Sequence, residues 1–153
     1  MSLVDKYARL AADQAITVSA VCTDTYPLGV AGQDIGSGPI PLGIRFTVKV
    51  AALVVGTETY EFQIVSATAS NGTSGSDVLV TTGTLTTAQA AVLLAAGDVI
   101  TLAIPPGRIQ PTATHITGKL VTANSAGITI DADLCAVNEQ QRYHAYAAAV
   151  TAI

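Results

Sequence analysis

The chain has 153 residues, of which half are hydrophobic and only 12% are charged, and this length suits one domain with a sizeable core. Its formal net charge of −4 and its seven scattered basic residues argue against nucleic-acid binding, which needs clustered Lys and Arg. Charged residues usually make up about a quarter of a soluble domain, and here their share is about half of that. We therefore expect part of the surface to be buried against other chains.

No targeting or membrane-spanning segment is expected. The first residues lack the basic region and apolar run of a secretory signal. The longest apolar run, residues 90–96, is far shorter than the ~20 residues that cross a membrane. We therefore expect a protein that is made in the cytoplasm and has no membrane contact. Cys22 and Cys135 are too few for a disulfide scaffold, and two buried reduced thiols are favoured over a bridge.

The first third of the chain predicts an arm, a strand and a loop. Residues 1–14 show no clear period and are expected to form an N-terminal arm. Residues 15–21 alternate weakly and predict a first strand. Residues 34–41 are rich in Gly and Pro, which supply positive φ and fixed turns, and they predict a loop.

The clearest pattern is a strict alternation in residues 42–50 and 57–64. In both segments one phase is polar, with Arg45 and Glu61 as examples. The other phase is apolar and consists of Ile44, Phe46, Val48, Val50, Tyr60, Phe62 and Ile64. A period of two predicts half-buried β-strands, and we expect them in the middle of a sheet.

The rest of the chain predicts further strands and one short helix. Thr86 and Thr87 form a helix N-cap signal before residues 88–96, and Gly97 is the expected C-cap. The last two strands flank a turn at residues 124–127 and predict a hairpin. The predicted strands are residues 77–84, 98–104, 114–121 and 128–135. Short strands at this spacing predict an all-β single domain, a β-sandwich, jelly roll or barrel, over residues 15–137.

Few residues carry a chemical signal. His115 and His144 have neither the spacing of zinc ligands nor a nucleophile nearby in the sequence. Asp131 and Asp133 share a strand face about 7 Å apart, a pairing that serves glycoside hydrolysis or cation binding. A solvated strand face is the favoured interpretation. We predict no enzyme activity, no metal and no cofactor.

The loop at Asp34-Ile-Gly-Ser-Gly38 resembles a fragment of a phosphate or calcium loop. Pro39 and Pro41 argue against the helix that a dinucleotide fingerprint needs, so a cluster of turn glycines is favoured. Gln33, Asp34 and Ser37 are nevertheless candidate partner contacts.

Apolar and aromatic residues supply the other candidate contacts. Leu53 and Val54, in the connecting segment 53–55, and the helix segment 92–94 are expected to belong mainly to the core, with a subunit contact by one of these segments as the alternative. The tail, residues 138–153, is polar and aromatic before it becomes Ala-rich, and it is a candidate partner-binding extension. Its candidate contacts are Arg142, Tyr143 and Tyr146.

Several short motifs occur in an order that resembles a known family. The motifs are residues 4–6, residues 13–20, Leu28-Gly29, Gln33-Asp-Ile-Gly-Ser-Gly38 with Pro39, the strand at 42–50 and the segment at 93–105. This order resembles the capsid cement (decoration) proteins of tailed bacteriophages, of the type first recognised in a Bordetella phage. The resemblance extends over residues 4–136.

The resemblance implies a jelly-roll domain on the outer surface of the virion capsid. There it would bridge major capsid protein subunits as a homo-oligomer, with a dimer favoured over a trimer, after synthesis in the host bacterial cytoplasm. One alternative is a carbohydrate- or receptor-binding β-sandwich of a phage particle, although the chain has only five Tyr and two Phe for stacking. A hydrolase that uses Asp131 and Asp133 is the third hypothesis.

Overall fold

A computed structural model describes residues 8–37, 41–124 and 126–137. Most of the expected arm and tail, including Arg142, Tyr143 and Tyr146, lies outside the described residues. Within them the chain forms short antiparallel strands and one helix. The elements are β1 (Arg9–Ile16), β2 (Ala20–Val21), β3 (Tyr26–Pro27), β4 (Leu42–Val50), β5 (Thr59–Ala67), β6 (Asp77–Thr81), α1 (Thr87–Leu93), β7 (Val99–Ala103), β8 (His115–Ala123) and β9 (Ile128–Ala136).

The strands form two sheets that pack face to face. The four-stranded sheet has the order β1-β9-β4-β7. The five-stranded sheet has the order β2-β8-β5-β6, and β3 also pairs with β8. Six of the eight connections cross from one sheet to the other, and the two strand orders are those of a jelly roll. The expected all-β sandwich with one short helix is therefore confirmed.

The two strongly alternating segments are β4 and β5, and their apolar faces form the centre of the core. Each strand is central, as expected, but the two lie in different sheets. Phe46 of β4 meets Phe62 of β5 across the sandwich, with ring centroids 5.1 Å apart and an interplanar angle of 60°. This edge-to-face geometry is favourable for aromatic pairs.

Val50 departs from the alternation of β4. It is 59% exposed, although its phase predicts burial. The pairing of β4 with β9 shifts register between Val48 and Val50, so Val50 lies opposite Thr129 on the outer face. A bulge of this kind reverses the side of the sheet to which the next residues point.

The expected hairpin between the last two strands does not form. β8 pairs with β5 in one sheet, whereas β9 pairs with β1 and β4 in the other. The turn after β8 starts at Asn124, whose φ is 62°. A tight turn can close a hairpin within one sheet or connect two stacked sheets, and the local sequence does not distinguish the two arrangements.

β1 begins and ends earlier than the predicted strand at residues 15–21. It stops at Ile16, and Ala20–Val21 form β2 in the other sheet. Residues 9–14, which we expected in the arm, pair with β9 inside the four-stranded sheet. The pairing contains two register shifts, and Asp13 has a φ of 47°. These irregularities break the period of two, and this is why the sequence pattern does not predict the strand.

The helix has the predicted start. Thr86 is its N-cap and forms a capping box with Gln89. The helix ends at Leu93 instead of residue 96, and its C-cap is Leu94 instead of the expected Gly97. The ends of the other predicted strands differ from those observed by at most three residues.

Candidate interaction surface

Exposed valine and leucine side chains gather at one end of the sandwich. The end of β4, the connection at residues 51–58, α1 and the start of β7 meet there. Backbone hydrogen bonds join them, since Ala52 N–H donates to Leu94 and Val48 N–H donates to Asp98. We term this surface the apolar end, and its exposed side chains are Val50, Leu53, Val55, Val92, Leu93 and Val99.

The core holds the connection at residues 51–58 in place. Val54 packs against the core, whereas Leu53 and Val55 on either side of it are exposed. The hydroxyl of buried Tyr60 lies 2.8 Å from the Leu53 carbonyl oxygen and accepts the Gly127 N–H at 3.1 Å. Burial, and secondarily the charge of Glu58, raises the pKa of Tyr60 and so favours its neutral form, although the Gly127 and Leu53 backbone contacts oppose this. The exposed loop is thus anchored from below.

Helix α1 is fixed to the same connection. The Thr87 hydroxyl donates to the carbonyl oxygen of Glu58 at 2.7 Å. Ala90 is buried against the core, while Val92 is exposed. Glu58 itself is buried, and its carboxylate accepts the Gly56 N–H at 2.8 Å. These contacts therefore fix the backbone of the connection and of α1 relative to each other.

A group of exposed apolar side chains at one end of a domain is a candidate interaction site in a soluble protein. The structure places Leu53 in this group, whereas Val54 supports the group from inside. Val55, which the sequence left open between core and subunit contact, is exposed as well. Sequence reasoning missed Val50 and Val99. The only available signal for them is a valine at a strand end, which does not distinguish exposed from buried positions.

The loop that contains Gln33, Asp34 and Ser37 lies at the opposite end of the sandwich, near the start of β4. Gln33 accepts the Gly29 N–H through its side-chain oxygen at 3.1 Å. Asp34 accepts the Gly107 N–H at 2.9 Å, which joins this loop to the one after β7. The side chains of Gln33 and Asp34 thus shape the loop itself.

Asp34 is held as a carboxylate. Its slight burial acts to raise its pKa, but hydrogen bonds from Gly107, Ser37 and Gly36 outweigh that effect and hold the pKa below its ordinary value. Gly36 is required by close packing, because a Cβ there would lie 2.4 Å from the Ile104 carbonyl oxygen. The Gly-rich motif therefore shapes the fold, as a turn cluster is expected to do.

Asp131 and Asp133 occupy the outer face of β9, but Asp133 is not solvated. It is 4% exposed, which contradicts the expected solvated face. Arg9 donates to it through Nε at 3.2 Å, and Arg45 lies within 3.8 Å. The reason is the strand register, which places Arg9, Asp133 and Arg45 side by side on three adjacent strands.

Asp131 also has structural partners. It accepts the Asp13 N–H at 2.7 Å and forms an ion pair with Lys49 at 3.7 Å. The former contact satisfies the backbone of the irregular β1 at its positive-φ residue. Both carboxylates are therefore engaged in holding strands together.

The remaining chemical candidates are isolated from one another. His115 Nδ1 lies 2.8 Å from the Thr114 hydroxyl. Cys22 and Cys135 are both free, with Cys22 buried between the sheets and Cys135 only half-buried, so the expectation of two buried thiols holds for Cys22 alone. Burial raises the pKa of Cys22 to about 12. Among residues 8–37, 41–124 and 126–137, no cluster of three His, Cys, Asp or Glu could hold a metal ion.

Comparison with known families gives one match. The family model Bbp16 matches residues 10–110, which is about two thirds of the chain. The chain belongs to the Bbp16 family. Bbp16 is a family of Bordetella phage proteins. The Bbp16 match runs from β1 to the loop after β7 and includes both the Asp34 loop and the apolar end.

No curated protein matches the chain. In the part of the chain that the structure describes, α1 is the one helix, and it is too short to cross a membrane.

Proposed function

We propose that this Bbp16-family chain is a structural virion protein that binds the outer surface of a phage capsid. It links neighbouring major capsid protein subunits and has no catalytic role. Membership of a phage family and a stiff jelly roll support the proposal. The observation that carries it is the apolar end, because an exposed apolar patch on a rigid scaffold is a surface made for a protein partner.

The apolar end suits this task energetically. Removing a Val or Leu side chain fully from water contributes about 1.5–3 kcal/mol. Association also has a cost, because side chains and loops lose freedom at an interface. Tyr60 and the N-cap of α1 already hold the backbone of this surface, so the cost of ordering its loops is reduced.

Binding to the assembled shell would stabilise it by mass action. A protein that contacts two subunits binds the shell better than the free subunits, so it shifts the equilibrium towards the shell. A homo-oligomer, with a dimer favoured over a trimer, would place two such surfaces on the shell and add avidity. No cofactor, membrane or nucleic acid takes part in this mechanism.

A sugar-binding module of a phage particle has less support. Such sites use exposed aromatic rings for stacking. Within the described residues the aromatic side chains are Tyr26, Phe46, Tyr60 and Phe62, and the last three are fully buried. The hydrolase hypothesis also loses support, because Asp131 and Asp133 are engaged by cations and backbone.

The test is co-sedimentation of the purified protein with preassembled shells of its cognate capsid protein. Val55→Asp and Val30→Asp form a matched pair, because both valines lie in bends, at 80% and 70% exposure. Val30 belongs to the end opposite the apolar end. We expect Val55→Asp to weaken shell binding about tenfold or more and Val30→Asp to leave it unchanged, with similar melting temperatures.

Two outcomes would contradict the proposal. Wild-type protein that stays in the supernatant at any shell concentration would remove the capsid-binding role. Equal losses in Val55→Asp and Val30→Asp would show that the apolar end has no special part in binding.

A further inference from the structure

On the outer face of the four-stranded sheet, basic side chains are exposed to solvent, whereas the acidic side chains that pair with them are largely buried. Arg9, Arg45 and Lys49 have side chains that are 41–45% exposed. The carboxylates beneath them, on Asp133 and Asp131, are only 6% and 14% exposed. We term the three cations the cation row. In a chain of net charge −4, this row holds three of the five Lys and Arg residues that the structure describes.

Arg45 has donor capacity that its neighbours leave unused. Its Nε has no hydrogen-bond partner in the described part of the chain, but it is buried, so a partner protein meets the rest of the side chain, which is 41% exposed. Its contact with Asp133 is an ion pair at 3.8 Å, which is too long for a hydrogen bond. Asp133 is already engaged by Arg9 at 3.2 Å. A guanidinium offers five N–H donors in a planar fork that matches a carboxylate.

We propose that the cation row binds carboxylates of an acidic surface segment on the partner protein. This inference rests on the proposed function. It specifies the polar part of the capsid contact, in which Asp or Glu side chains of the capsid subunit bind Arg9, Arg45 and Lys49. Charge-assisted hydrogen bonds to Arg are among the stronger polar contacts in proteins. The contact also adds specificity and speeds association.

The cation row is continuous with the apolar end. Lys49 directly precedes Val50, and Thr47 of the same strand pairs with Val99. A partner seated on the apolar end therefore reaches Lys49 without leaving the surface. The two features together make an apolar patch with a charged border, which is the usual anatomy of a protein interface.

Phosphates fit this face less well than carboxylates do. Three cations in a short row would neutralise few phosphates of a nucleic acid. Asp13, whose backbone N–H donates to Asp131, adds an exposed acidic residue near the row, and the net charge of the chain is negative. Both features disfavour a polyanion. A protein segment with a few acidic side chains needs only the local row.

The experiment measures shell binding by co-sedimentation over a salt range from about 50 mM, where the Debye length exceeds 10 Å, to about 500 mM. Lys49→Glu is compared with Lys119→Glu, which makes the same charge change on the outer face of the five-stranded sheet. We expect affinity of the wild type to fall with salt, Lys49→Glu to lose about tenfold at low salt, and Lys119→Glu to match the wild type. Lys49→Gln removes the charge without repelling Asp131, and a loss of a few-fold is expected there.

The outcomes separate this inference from the proposed function. If the wild type binds shells independently of salt, or if the Lys49 and Lys119 variants bind alike, the cation row is not a contact and the capsid role stands. If the wild type does not bind shells, both ideas fall. If duplex DNA binds the protein and Lys49→Glu abolishes that binding, the ligand is phosphate and the carboxylate inference is overturned. Melting temperatures of all variants establish that each one is folded.

Discussion

The buried hydroxyl of Tyr60 lies 2.8 Å from the carbonyl oxygen of Leu53, so the core fixes an exposed residue of the apolar end directly. The same hydroxyl accepts the N–H of Gly127 in the turn before β9. One core side chain thereby ties together two connections, each of which crosses from one sheet to the other. Removing the hydroxyl should therefore loosen the apolar end without disturbing the sheets.

Tyr60→Phe should lower the free energy of unfolding by about 1–3 kcal/mol, because the Leu53 carbonyl oxygen and the Gly127 N–H lose their hydrogen-bond partner. Hydrogen exchange checks the location of the effect. The Gly127 amide should exchange faster in the variant, whereas the Tyr60 amide, which donates to Leu85, should keep its protection. Unchanged protection at Gly127 would mean that the hydroxyl does not hold this turn.

Gly118→Ala should destabilise the core by about 1–3 kcal/mol, the usual cost of overpacking. A Cβ at this position would lie 2.7 Å from the ring of Phe46 and 2.9 Å from Cys22 Sγ. Gly56→Ala is the control, because its nearest neighbour would be at 3.7 Å. Urea unfolding measures both, and combining Gly118→Ala with Phe46→Leu should recover part of the loss. Equal stability of the two alanine variants would refute the packing argument.

The carboxylate of Asp34 should contribute stability that acid removes. Folding lowers its pKa below the ordinary 3.8, so the contribution is complete above that value and declines as the pH falls through the lower folded pKa. Asp34→Asn should therefore melt below the wild type at pH 7, and the difference should shrink when the pH falls below 3.8. A difference that stays constant or grows in acid contradicts this sign. The effect should be small, because Asp34 is exposed.

The two thiols should differ in reactivity. Cys22 is buried with a pKa of about 12, so almost no thiolate exists there at pH 8. Half-buried Cys135 also has a raised pKa, through burial, and should react slowly. A thiol reagent should thus modify one cysteine in the native protein and two in denaturant, while Cys135→Ser should leave none reactive in the native state. Fast modification of two native thiols would contradict the buried position of Cys22.

Much of the local structure could be predicted from the sequence, because it rests on near neighbours along the chain. The alternation of Ile44, Phe46 and Val48 with polar residues identifies β4 and its buried face, as that of Tyr60, Phe62 and Ile64 does for β5. The capping signal at Thr86 identifies the start of α1. The order of short motifs around Gln33 and Asp34 also points to a Bordetella phage family, in agreement with the Bbp16 match.

Only the tertiary structure decided which strands pair and what the outer faces carry. Alternation shows that a strand has an inner face, but it does not show to which sheet the strand belongs. The sequence therefore predicts a hairpin of β8 and β9, whereas these strands lie in opposite sheets. The covered carboxylate of Asp133 depends on Arg9 and Arg45, which are 124 and 88 residues away along the chain. The apolar end likewise joins residues from β4 to β7 whose exposure depends on the packing of the core beneath them. Such contacts are set by strand register and sheet packing, which no local pattern encodes.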